Sequence, residues 1–232
     1  MILRTILATF AALMLVAAGP GPKEAELGSL IPRAAAADIA DHGYTPEQRG
    51  RLALAHFSRC IFGRTPRRVS DNLQLPFGAS MATVGRLGTD DCLASGELRV
   101  QTNLMRGYLF GEMYRVHEAK VPKNWTYPIT PLDLTNAPSD SENRQVRVNF
   151  LLLTMTHCLY LRDPGLVRDV VINAPGSPKQ KAAYRSLIPK IGACVPKDTT
   201  FELSRSAIES VFGEYLYRSL VPVVTDVPGK PN

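Results

Sequence analysis

The stretch CIFGRTPRRVSD, Cys60 to Asp71, returns as CLYLRDPGLVRD, Cys158 to Asp169, and this recurrence decides the fold. Cys60, Arg64, Pro66, Val69 and Asp71 match Cys158, Arg162, Pro164, Val167 and Asp169 at identical offsets. Gly78 and Gly176 extend the match. Each copy closes on a second cysteine, Cys92 or Cys194. Eighteen residues beyond each closing cysteine stands one tripeptide, Phe110-Gly111-Glu112 or Phe212-Gly213-Glu214. Tyr114-Arg115 and Tyr217-Arg218 follow. The pattern reads as an internal duplication.

Helix signals surround the matched positions. Thr45-Pro46-Glu47-Gln48 is a capping box with proline in the first helical position. The helix it opens carries Leu54, Phe57 and Ile61 on one face and runs through Cys60. In the second copy the counterpart is predicted to open at Ser139, with Glu142 three residues on. Its run Phe150 to Leu153 predicts a helix buried on more than one side. Thr65-Pro66 and Asp163-Pro164 place a capping residue before a proline and open the second helix of each copy. Gly78 and Gly176 are expected to supply turn conformations open to few other residues. A third helix starts near Ser80, and its partner near Ser177-Pro178. Pro189 is predicted to end or kink the latter near Ile188. A fourth helix follows each closing cysteine. Thr102 to Val116 is the less amphipathic of the two. Ser204 to Leu220 places Ile208, Val211, Phe212, Tyr215 and Leu216 at helical spacing.

The expected fold is therefore all-α: two tandem four-helix modules, each stapled by a disulfide, packed into one globular unit. Module boundaries fall at 45–118 and 139–220. Residues 119–138 form a proline-rich linker anchored by Trp125, the only tryptophan. Residues 221–232 read as an extended tail.

The N-terminus reads as an export signal. Arg4 supplies the positive charge, Ile6 to Ala18 is apolar with one threonine, and Val16-Ala17-Ala18 offers small residues for cleavage. Residues 1–18 form the signal and 19–44 a flexible mature N-terminus rich in Gly, Pro and Ala. A second cleavage point lies in Ala34 to Ala37. The apolar run is short for a membrane span. Four cysteines in an exported chain are expected to be oxidised. A duplicated module carries its bridge within itself, which selects Cys60–Cys92 and Cys158–Cys194. The closed loops hold 33 and 37 residues counting both cysteines. Loop entropy puts each bridge at roughly 3.5–4 kcal/mol. A zinc site is the weaker reading, because no CxxC pair is present.

Composition narrows the function. The formal charge is +6, and loss of Arg4 with the signal leaves +5. Lysine and arginine are scattered, and the longest run is Arg67-Arg68. An exported chain with no basic stripe set among aromatics argues against nucleic acid. The compatible partners are an envelope protein or an anionic envelope polymer. No cofactor or metal is expected: HExxH, a close histidine pair, GxSxG, a P-loop and a dinucleotide fingerprint are all missing. His157 beside Cys158 does not make a nucleophile pair, since helix neighbours point in different directions. Asn124-Trp125-Thr126 matches a glycosylation sequon.

The candidate functional residues are Glu112, Glu214, Arg64 and Arg162. If the modules meet about a twofold axis, the two glutamates face one another, and paired carboxylates serve glycoside hydrolysis. The plainer expectation is that each glutamate pairs with the arginine of its own module, Arg64 or Arg162. Gly111 and Gly213 sit inside helices, where glycine costs about 1 kcal/mol against alanine, so a neighbouring helix is expected to approach closely there. The expected function is that of a non-enzymatic binding, scaffold or envelope-associated protein. The rivals are a cell-wall hydrolase using Glu112 and Glu214, and a small-ligand or lipid carrier with its cavity between the modules.

Overall fold

Every matched proline of the sequence begins a helix, and the chain between them winds into a wholly helical fold. The computed structural model describes residues 43–88, 92–93, 99–120, 132, 134, 143–195 and 203–224. Eight α-helices and no strands occur among these residues. They are α1 (Pro46–Arg64), α2 (Pro66–Gln74), α3 (Phe77–Thr83), α4 (Thr102–Glu118), α5 (Arg144–Arg162), α6 (Pro164–Ile172), α7 (Pro178–Ile191) and α8 (Arg205–Val224). The expected signal at 1–18, the other residues up to 42, the Trp125 linker with its sequon, Ser139, Glu142 and the tail beyond Val224 lie outside the described residues.

Caps explain the starts. The Thr45 hydroxyl accepts from the Gln48 amide at 3.2 Å, and the Gln48 side chain accepts from the Thr45 amide at 3.0 Å. Asp163 caps α6 by accepting from the Leu166 amide at 3.3 Å. Thr65 does not cap α2 in this way. Its hydroxyl turns back to donate to the Ile61 carbonyl, completing the end of α1. Ser177 caps α7 as expected. The helix predicted from Ser139 opens instead at Arg144, capped by the side chain of Asn143.

Two other expectations are corrected. Pro189 does not end α7 at Ile188: the helix runs on to Ile191 before a short 3₁₀ turn at Gly192–Cys194. Proline lacks the N–H that would bond the Arg185 carbonyl, so the last turn continues past it with one helical bond fewer. Gly78 is no turn residue either. It lies in the first turn of α3, whereas Gly176 does adopt a left-handed φ of 77°. In the run Phe150 to Leu153 only Leu153 is fully buried, because α5 rests mainly on α8 and α6.

Disulfides join Cys60 to Cys92 and Cys158 to Cys194. Each lies within one of two apolar clusters. The first gathers Leu54, Phe57, Ile61, Val69, Val84, Leu109 and Phe110 from α1 to α4. The second gathers Met155, Leu159, Val167, Tyr184, Leu187, Phe212 and Leu216 from α5 to α8. The most extensive helix contact is α4 with α8, which crosses from one cluster to the other. Residues 105 to 114 of α4 are all buried, which explains why its sequence shows so little amphipathic pattern. Small residues set the crossing distance. A Cβ on Gly107 would stand 1.8 Å from the Ser210 hydroxyl oxygen, and one on Gly213 would stand 2.8 Å from the Gly107 carbonyl.

Candidate functional site

Glu112 and Glu214 follow the crossing glycines of α4 and α8, so the fold buries both. Neither pairs with the expected arginine. Arg64 and Arg162 are exposed in the last turns of α1 and α5. Glu112 instead pairs with Arg115 one turn on and with Arg59 of α1, at 3.4 Å. Arg115 also donates to the Val171 carbonyl at 2.8 Å, tying α4 to α6. Glu214 pairs with Arg218 at 3.1 Å and with Arg106 of α4 at 2.5 Å. The expectation thus fails for Arg64 and Arg162, but each glutamate does hold an arginine of its own module, the repeated Arg115 or Arg218, with Arg59 and Arg106 added from α1 and α4.

Arg106 is the unusual member. Its side chain is only 4% exposed. Its guanidinium lies between the rings of Phe77 and Phe110, at 5.0 and 4.7 Å from their centroids. Its Nε donates to the Ser80 hydroxyl at 3.1 Å, and that hydroxyl donates to the Asn72 side-chain oxygen at 3.0 Å. Cation–π contact and a charge-assisted bond both gain strength away from water. The outcome is a rigid polar strut reaching from α2 through α3 and α4 to α8.

Arg106 and Glu214 of this strut line a groove of about 590 Å³. Helix α2 contributes Leu73, the following turn Leu75 and Pro76, and α3 Phe77. Phe110 and Met113 of α4 form the floor with Tyr217 of α8, whose ring packs 5.6 Å from that of Phe110. Asn149 of α5 closes the far side, so both halves of the chain line one opening. Burial pushes the Tyr217 phenol above its ordinary value, keeping it neutral. Glu214, Arg106 and Arg218 line the groove; Glu112 does not. The rim therefore carries two cations against one anion.

A second polar cluster is absent from the sequence reading. Arg51 of α1, only 1% exposed, pairs with Glu209 of α8 and donates to the Gln180 side chain of α7 at 2.6 Å. Tyr108 of α4 and Tyr184 of α7 both donate to the Glu209 carboxylate. Burial foremost, then the adjoining Glu209 charge, pushes both phenols well above their ordinary value. For Arg51, burial pulls downward, but the charge and hydrogen bond of Glu209 outweigh it and raise its pKa. All five side chains are buried, so this cluster clasps four helices rather than presenting chemistry to a ligand. A signal existed. Arg51 stands on the face that carries Leu54 and Ile61, and Glu209 sits between Ile208 and Val211. A charge inside an apolar stripe needs a buried partner.

Nucleophile and metal chemistry find little footing. His157 accepts from or donates to the Tyr215 hydroxyl at 2.8 Å, and Cys158 is in its disulfide. No group of three His, Cys, Asp or Glu suited to a metal occurs among the described residues. Among them, too, no helix is long and apolar enough to cross a membrane. No family model, curated protein or solved structure matches the chain.

Proposed function

We propose that the protein is an exported, non-catalytic binding protein whose groove receives a small amphiphilic ligand. The observation that carries this reading is the groove itself. It opens where the two helical clusters meet, sets an apolar surface of Leu73, Phe77, Phe110 and Met113 beside polar groups, and bears one net positive charge from Arg106, Arg218 and Glu214. Pockets of this size and character suit a compact ligand with an apolar body and a polar head. The excess cation favours an acidic head. Export rests on the signal-like residues 1–18 and on two disulfides, which fit an oxidising compartment. Duplication of an ancestral cysteine-bracketed segment accounts for the two clusters and for a site at their junction.

The hydrolase reading draws no support from the same residues. General acid–base work on a glycoside needs two carboxyl groups flanking one opening, with room for water. Only Glu214 of the pair reaches the groove, and two guanidiniums already occupy it.

Titration with a dansyl-labelled fatty acid tests the proposal. Saturable, one-site fluorescence enhancement is expected for the native chain. Leu75→Glu, at a rim position already 42% exposed, is expected to abolish it without unfolding the chain. Absence of saturable binding, or binding indifferent to Leu75→Glu, removes the carrier reading. Release of soluble fragments from purified cell wall by the native chain, lost in Glu214→Gln, would put the hydrolase in its place.

A further inference from the structure

A different surface carries a second function. The outer side of α7 places Lys181, Arg185 and Ile188 at i, i+4 and i+7, so they share one face. With Arg205, the first residue of α8, they border a shallow cleft of about 450 Å³ floored by Tyr184. Arg205 lies over the Tyr184 ring at 5.4 Å, which holds its guanidinium in place at the cleft.

Among the described residues the charge here is uncompensated: three cations and no carboxylate line the cleft. Among the described residues, none of the three is ion-paired, whereas Lys190 further along α7 pairs with Asp163 and Arg168 of α6 pairs with Glu118. Helix α7 contains no acidic residue from Pro178 to Ile191. Its opposite face is packed inward through Ala183, Tyr184 and Leu187, so the basic side has nowhere to turn but solvent. Ile188 stands among these cations with 53% of its surface exposed, so the face joins an aliphatic side chain to three positive charges.

We infer that this face seats the protein on an anionic phospholipid surface. Lys181, Arg185 and Arg205 meet headgroup phosphates, and Ile188 enters the boundary between headgroups and acyl chains. Cations flanking one exposed aliphatic residue on a helix that lies flat are the composition of an interfacial face. A soluble phosphate or polyanion would use the three cations but gain nothing from Ile188, and that difference favours the bilayer.

The test is co-sedimentation of the disulfide-bonded chain with vesicles of phosphatidylglycerol mixed into phosphatidylcholine, against phosphatidylcholine alone. Binding is expected only to the anionic vesicles and to weaken as salt rises. Lys181→Ala with Arg185→Ala is expected to lower the partition coefficient about twenty-five-fold, roughly fivefold for each cation lost. Arg67→Ala with Arg68→Ala removes the same charge from two equally exposed positions on α2 and is expected to change it little. Ile188→Asn is expected to weaken binding severalfold at unchanged charge. Failure to sediment with anionic vesicles overturns the inference. So does an equal loss from the two double variants, which would reduce the effect to net charge. Displacement by millimolar inorganic phosphate, with Ile188→Asn indistinguishable from the native chain, also overturns it in favour of a soluble anion.

Discussion

Glu112 and Glu214 occupy matched positions in the sequence, yet their surroundings give them unequal weight. The partners of Glu112 can find water: the Arg59 side chain is 65% exposed and Arg115 is partly so. Arg106 is far more enclosed, only 4% exposed and covered by Phe77, Phe110 and Glu214 itself. Removing one partner of a buried pair leaves the other charge uncompensated and costs about 3–5 kcal/mol. Replacing a buried acceptor whose donors can rehydrate costs about 1–3 kcal/mol. Glu214→Gln is therefore expected to destabilise the chain distinctly more than Glu112→Gln. Urea titration of both variants measures this. Equal losses would mean that Arg106 reaches solvent when its carboxylate is gone, and that the strut along the groove is not rigid.

Helices α4 and α8 show how three glycines at one crossing divide the labour. A Cβ on Gly107 or Gly213 would collide with the opposing helix, at 1.8 and 2.8 Å respectively. One on Gly111 would meet Val171 at 3.8 Å and the Gly213 Cα at 3.9 Å, ordinary contact distances. Gly107→Ala and Gly213→Ala are expected to cost several kcal/mol by forcing the helices apart, as overpacked cores do at about 1–3 kcal/mol or more. Gly111→Ala is expected to be neutral, or to gain up to about 1 kcal/mol from helix propensity. Thermal melts of the three variants check the order. The sequence reading reached Gly111 and Gly213 because both copies share them. It missed Gly107, whose matched position in the second copy is Glu209, so repetition gave no signal. The same limit hid Arg51 and Glu209, which have no counterpart pair. Cysteine spacing, prolines and caps are local and were legible; the partners of Arg106 and Glu214 come from opposite halves of the chain, and no spacing rule encodes them. Thr65 and Gly78 show the converse, where a correct local motif took a different local partner or none.

Two apolar clusters and two disulfides suggest two independent domains, but the contacts between the halves argue for one folding unit. Tyr114 of α4 is buried in the cluster of α5 to α8, and Tyr217 of α8 packs against that of α1 to α4. The buried cation Arg51 finds its carboxylate, Glu209, in the other half. Arg106 does the same with Glu214, while Gly107 lies against Ser210 and Gly213 against Gly107 and Gly111. A fragment spanning 45–118 would therefore lose the counterions of Arg51 and Arg106 and expose the apolar and glycine face that α8 covers. Its disulfide, closing a loop worth about 3.5–4 kcal/mol, restrains the unfolded chain but does not replace that burial. The isolated fragment, oxidised at Cys60 and Cys92, is expected to lack near-ultraviolet circular dichroism and slow amide exchange, while the full chain unfolds in one transition seen alike by near- and far-ultraviolet signals. A fragment with native-like exchange protection would show that the clusters are domains in their own right. The groove between them would then be an interface able to open, and a ligand held there would act on the spacing of the halves as well as on its own retention.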